Sequence, residues 1–185
     1  MTISDTFWDL LEPERERIWQ LSYALTGSYD EACDLASETF LAAYKSFPSL
    51  RDLAAFRKFL STIAIRLHRR KRWRNRIFSP LHDAENSSYE MNGESSYDLD
   101  LLLAALKKLP RVQRETIVLF EISGLSLNEI KEIQGGSISG VKSRLTRARE
   151  HLKQLLTDKE VHPGDARPQK QAPGDLPNII RIQLS

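Results

Sequence analysis

Apolar residues recur at intervals of three and four along most of the chain, and strand-like alternation is rare. The pattern predicts helices almost throughout. A first helical stretch over residues 5–25 puts Phe7, Leu11, Ile18, Leu21 and Leu25 on one face, and Gly27 ends it. The sequence "SYDE", residues 28–31, has capping-box spacing and opens a second helix. That helix runs through Leu35, Phe40, Leu41 and Tyr44 until Pro48 breaks it. A third starts near Asp52 and carries Phe56, Phe59, Leu60, Ile63, Ala64 and Leu67.

The character of the chain changes after residue 76. No Lys or Arg occurs from Ile77 to Leu106, while Asp83, Glu85, Glu90 and Glu94 lie among Ser, Asn and Gly. Such a stretch cannot bury enough apolar surface to order itself. Helical periodicity resumes near Leu99, with Pro110 suited to a first helical turn and Gly124 to a stop. "SLNE", residues 126–129, is a second capping box. The last segment, with Pro163, Pro168, Pro173 and Pro177 among Gly and Gln, reads as disordered, and its apolar end, "NIIRIQLS", as a frayed terminus or a docking segment. The expected architecture is all-α: two small helical domains, residues 5–76 and 99–156, joined by a flexible acidic linker, 77–98, and followed by a disordered tail, 157–185.

Composition narrows the function. The single cysteine, Cys33, excludes an internal disulfide and reads as an ordinary buried thiol, and His68, His82, His151 and His162 show no metal-ligand spacing. No metal or cofactor is expected. There is no Gly-rich phosphate loop and no nucleophile elbow, so nothing points to an enzyme. No run approaches the roughly 18 apolar residues of a membrane span, and the first residues lack a signal-peptide pattern, which predicts a cytoplasmic protein without membrane insertion.

Charge is distributed unevenly. The net charge is only +2, yet "RLHRRKRWRNR", residues 66–76, and "SISGVKSRLTRAR", residues 137–149, contain no acid. In the second run Ile138, Val141, Leu145, Ala148 and Leu152 share one helical arc. Preceded by the apolar stripe Leu127, Ile130 and Ile133 and the break "QGGS", this is the pattern of a helix-turn-helix. The opposite arc carries Ser139, Ser143, Thr146 and Arg147 with Lys142 on its flank. Hydroxyls permit close approach to DNA, and Arg and Lys reach phosphates or guanine edges. A solvated basic face is the plainer explanation of such a helix, but the adjoining capped helix and Gly turn favour a DNA reader.

Two longer motifs carry a resemblance. "YDEACDLASETFLAAYKSF", residues 29–47, leading into "AFRKFLSTIAIRLHRR", residues 55–70, is similar to region 2 of the extracytoplasmic-function (ECF) sigma factors of bacterial RNA polymerase. "LKKLPRVQRETIVLFEISGLSLNEIKEIQGGSISGVKSRLTRAREHL", residues 106–152, resembles their region 4. The resemblance implies a subunit that binds core RNA polymerase and directs it to promoter DNA. Region 2 would dock on the β′ clamp helices through Asp34, Leu35 and Glu38. It would melt the −10 element, with Phe47, Ser49, Leu50 and Arg51 lining or flanking a pocket for a flipped base. Arg57, Lys58, Arg66, Arg69 and Arg70 would follow the strand backbone. Region 4 would pack on the β flap and read the −35 duplex through Ser139, Lys142, Ser143, Thr146 and Arg147. A separate anti-sigma protein is implied as a further partner. The sequence departs from the family pattern at Ser37, where Gln is common, Phe59 for Trp, Arg66 for Asn and Gly140 for Thr. A stand-alone helix-turn-helix regulator and a helical protein-interaction module remain the competing readings.

Overall fold

Pro13 divides what the periodicity presents as a single N-terminal helix. In the computed structural model, which describes residues 3–78 and 97–160, α1 spans Ile3–Leu11 and α2 Arg15–Thr26, separated by a 3-10 turn at Glu12–Glu14. Proline lacks the N–H and clashes with the carbonyl four residues back, so α1 cannot continue through it. The turn buries Glu14. Gly27, at φ +65°, caps α2, its N–H donating to the Tyr23 carbonyl at 2.7 Å.

Helix α3, Tyr29–Ser46, begins at Ser28, but the expected capping box does not form: the Ser28 hydroxyl makes no cap hydrogen bond. Thr26 intervenes instead. Its hydroxyl donates to the Ser22 carbonyl at 2.9 Å and accepts from the Ser28 N–H at 3.5 Å. Two 3-10 turns, Phe47–Ser49 and Leu53–Ala55, lead to α4, Phe56–Phe78.

The second unit comprises α5, Tyr97–Lys108; α6, Arg111–Glu121; α7, Leu127–Gln134; and α8, Ile138–Glu160. Both capping-box bonds form at the start of α7. The Ser126 N–H donates to Glu129 Oε2 at 2.8 Å, and the Glu129 N–H to Ser126 Oγ at 3.3 Å. No strand occurs among the described residues. Helices α4 and α8 extend past residues 76 and 156, where the sequence pattern ends them. The acidic stretch 79–96 and the Pro-rich segment 161–185 lie outside the described residues.

The two units are docked on each other. Helix α2 packs against both α5 and α6. Phe7, Leu21, Leu35 and Leu60 belong to the same buried cluster as Leu106, Ile117, Ile130 and Leu145. Each fully buried Leu, Ile or Phe contributes about 1.5–3 kcal/mol relative to exposure, so this shared core sets how firmly α2 holds α5 and α6.

Candidate nucleic-acid interface

The helix-turn-helix is tightly built. Gly135 and Gly136, at φ +79° and +89°, make the reversal between α7 and α8. A side chain at either position would sit in the left-handed region that L residues avoid. Gln134 ties the turn to α6: the Thr116 hydroxyl donates to its Oε1 at 2.9 Å and its Nε2 donates to the Val112 carbonyl at 3.2 Å. Ser137 caps α8, its Oγ accepting from the Gly140 N–H at 3.1 Å. Gly140 therefore stands within a capped first turn.

Val141, Leu145, Ala148 and Leu152 of α8 are buried, and Ser139, Lys142, Ser143, Thr146 and Arg147 are all exposed. The structure thus brings the five predicted duplex-reading residues onto one open face, spanning about 140° of the helix. Lys142 and Arg147 have no acidic partner among the described residues. The other cations of that run serve the fold. Arg149 clasps Glu121 on α6 at 2.6 Å with its guanidinium over the Phe120 ring at 5.4 Å, and Arg144 donates to the Gly135 carbonyl at 3.3 Å.

The basic residues of the first unit divide in the same way. Arg57 pairs with buried Glu14 at 3.0 Å, and Glu14 also receives Arg17 at 2.7 Å. Lys58 reaches across to Glu132 on α7 at 2.8 Å, a hydrogen bond that raises the lysine pKa and lowers that of the carboxyl. Arg69 forks onto Glu115 of α6, with Nε and Nη2 at 3.1 and 2.6 Å, and Arg111 adds a third bond at 3.2 Å. Glu115 is fully buried. Its hydrogen bond raises the Arg69 pKa. Arg66 and Arg70 are exposed, with no acid paired to them among the described residues.

His68 lies one residue before Arg69 and is buried. Desolvation first, then Arg114, Arg72, Lys71 and Arg111, push its pKa down to about 3, so the imidazole is neutral. Lys107 of α5 crosses over Gly27, and burial lowers its pKa, a shift Glu31 opposes and Arg114 reinforces.

Two residues expected on functional surfaces are inside. Leu35 is 4% exposed and belongs to the core, so it cannot offer its side chain to a partner beside Asp34 and Glu38. Those two acids are exposed, and the stripe continues through Leu41, which sequence reasoning missed although it lies at i+7 from Asp34. Exposed Tyr44 stacks on exposed Trp8, ring centroids 6.1 Å apart, at the edge of the same surface. Phe47, 5% exposed, does not line an open pocket. It makes edge-to-face contacts with Phe7 and Phe56 at 5.2 and 5.8 Å, because the turn at Pro48 folds it inward. In the same loop Ser49 is exposed and donates to the Ser46 carbonyl at 2.6 Å, Leu50 is half-buried, and Arg51 is exposed. Cys33 is half-buried on α3.

The fold and these surfaces define a two-unit helical protein whose second unit is a helix-turn-helix with an open basic face. Comparison with known proteins makes this specific. Residues 10–76 match the family described as Sigma-70 region 2, and residues 99–152 match Sigma-70, region 4. The chain is 34% identical over 158 residues to the ECF RNA polymerase sigma factor SigE of Mycolicibacterium smegmatis, covering 80% of this chain but only 61% of that protein's length. It is 31% identical over 164 residues to the ECF RNA polymerase sigma factor EcfG of Rhodopseudomonas palustris, covering 84% and 88%. Among solved structures, the sigma factor RpoE of Bartonella quintana, crystallised with the anti-sigma factor NepR, superposes with a TM-score of 0.70 at 29% identity, covering 82% of this chain and 97% of that one. The chain belongs to the ECF RNA polymerase sigma factor family. No helix among the described residues is long and apolar enough to cross a membrane.

Proposed function

We propose that this chain binds core RNA polymerase and directs it to a set of promoters. The observation that carries the reading is the α8 face. All five polar and basic residues point outward while every intervening apolar residue points in, on a helix-turn-helix joined to a second basic unit. Helix α8 reads the −35 duplex. Basic charge beside the −10 strand comes from α4, and the stripe Asp34, Glu38 and Leu41 on α3 meets the β′ clamp helices. Because Lys58 and Arg69 are held by acids of the second unit, the two units part before those cations reach DNA. A separate anti-sigma protein controls the chain, as the Bartonella relative, solved with NepR, suggests. The protein acts in the cytoplasm and performs no catalysis of its own.

The test is transcription in vitro with core polymerase on a promoter library, followed by mapping of start sites. Initiation from a common −35/−10 pattern is expected only when core and this chain are both present. Lys142→Ala or Arg147→Ala should weaken −35-dependent output by about 1–3 kcal/mol, the discrimination of a bidentate base contact. Specific duplex binding by the chain alone, with no initiation on any promoter, would favour a stand-alone regulator instead.

A further inference from the structure

The promoter reading leaves one buried imidazole unused. His68 stands on α4 where the two units meet. The next residue, Arg69, is clasped by Glu115 of α6, and Lys58 of the same helix reaches Glu132 of α7. The His68 ring is 6% exposed, and its Nε2 is buried with no hydrogen-bond partner among the described residues. The charges that act on it most strongly are all cations: Arg114 and Arg111 of α6, and Arg72 and Lys71 of its own helix. Arg114 is itself buried. The acids that neighbouring elements bring to this junction act on other groups. Glu115 of α6 holds Arg69 and Arg111, and Glu14, before α2, holds Arg57 and Arg17. Glu31 of α3 acts on Lys107 of α5, and Asp100 of α5 on Tyr23 of α2.

We infer that His68 is a proton-operated latch between the two units: a proton taken up by its ring drives them apart and releases Lys58 and Arg69 from Glu132 and Glu115. A neutral imidazole tolerates burial with one nitrogen unbonded. An imidazolium at the same place carries a second N–H and a positive charge, and the charges around it repel it. Desolvation and like charge both oppose that form, which is why the docked chain holds the His68 pKa down at about 3. Two of the repelling cations, Arg114 and Arg111, belong to the other unit. Separation takes both away and gives the ring to water, where imidazole protonates near its ordinary 6.5. The open chain therefore binds a proton that the docked chain refuses. Docking is undiminished above about pH 6.5, and below it the ratio of open to docked chain rises by up to about tenfold per pH unit. Lys58 lowers the pKa of the Glu132 carboxyl, so that bridge keeps its charge while His68 takes its proton. The latch concerns docking alone. Its consequence, cations freed for a promoter strand, rests on the proposed function.

The test follows the full chain from about pH 7.5 to about pH 4.5 by small-angle scattering. NMR tracks the His68 ring in parallel, its signals identified by their absence from His68→Gln. The radius of gyration should rise over the same pH range in which His68 titrates, with helix content by circular dichroism unchanged. His68→Gln keeps a polar side chain that takes no proton, and it should stay compact wherever its helix content holds. If Gln disturbs the fold, His68→Leu, apolar and equally unable to take a proton, answers the same question. A radius that stays constant while His68 titrates, or that rises alike in parent and variant, would overturn the inference. So would a ring that takes no proton until the helices melt. The measurement needs neither polymerase nor DNA, so failure of promoter-directed initiation would not mimic failure of the latch.

Discussion

Replacing Glu115 with Gln removes one negative charge from the contact between the two helical units while keeping the side chain's shape. The carboxylate is fully buried and receives three hydrogen bonds, two from Arg69 across the interface and one from Arg111 on its own helix. Breaking a fully buried ion pair costs about 3–5 kcal/mol. Here the side chains of Arg69 and Arg111 are 32% and 47% exposed, so water recovers part of their solvation, and the loss falls nearer the about 1.5–3 kcal/mol of hydrogen bonds to a charged group. With a urea m-value of about 1–3 kcal/mol/M, Glu115→Gln should lower the unfolding midpoint by roughly 1 M. The pair crosses between units, so small-angle scattering should also show a larger radius of gyration. Arg69→Gln separates the two effects. It leaves the fully buried Glu115 carboxylate with Arg111 as its one remaining partner, so it should open the units comparably with a larger loss of stability, and the double variant should be less than additive. An unchanged scattering curve in both single variants would show that Glu115 does not hold the units together.

Three further outcomes follow from the packing. The folded-state pKa of His68 is depressed to about 3 from 6.5, so its contribution to stability is complete above pH 6.5. It declines as pH falls below that, by up to about 1.4 kcal/mol per unit; His68→Leu should flatten urea midpoints between pH 6.5 and 4.5, and parallel profiles would refute the assignment. Gly27→Ala should cost about 1–2 kcal/mol for its left-handed backbone and displace the Lys107 side chain that lies over it, measured by thermal melting; Gly27→Asn should cost less. Phe47→Ala should lose about 3–5 kcal/mol by urea denaturation, whereas a base-pocket role without a packing role would leave stability unchanged.

Local pattern carried much of this fold. The spacing of Val141, Leu145, Ala148 and Leu152 sufficed to orient α8 and hence its exposed polar face, and Ser126 with Glu129 sufficed to start α7, because both signals act within one or two helical turns. The errors have local and non-local sources. At Ser28 the box spacing is present, but Thr26, two residues earlier, already occupies the N–H. Leu35 beside Asp34 has the look of a mixed acidic-apolar surface. Only the packing of α3 on α2 and α4 shows that Leu35 faces inward. Most opaque were the acids that hold Arg57, Lys58 and Arg69, which lie 43, 74 and 46 residues away in sequence. No periodicity within α4 could disclose them.

Those long-range pairs explain how a nearly neutral chain can carry two strongly basic helices. Glu14, Glu132, Glu115 and Glu121 take up Arg57, Lys58, Arg69 and Arg149. Among the described residues, Arg66, Arg70 and Arg74 on α4 and Lys142 and Arg147 on α8 have no acid partner and point outward even while the units are docked. Under the proposed function, the α8 face therefore meets duplex DNA without any separation of the units. Under that same function the units then separate, and Arg69 exchanges one anion, the Glu115 carboxylate, for another, a phosphate. That exchange conserves a charge-assisted hydrogen bond, but it leaves Glu115 to be solvated and exposes the apolar contacts of α2 with α5 and α6. The balance between docked and open chain is thus set by the burial between those helices and by Glu115 far more than by the total basic charge. This is why the Glu115→Gln substitution, rather than the removal of any outward-facing arginine, is the most direct measure of what holds the two units together.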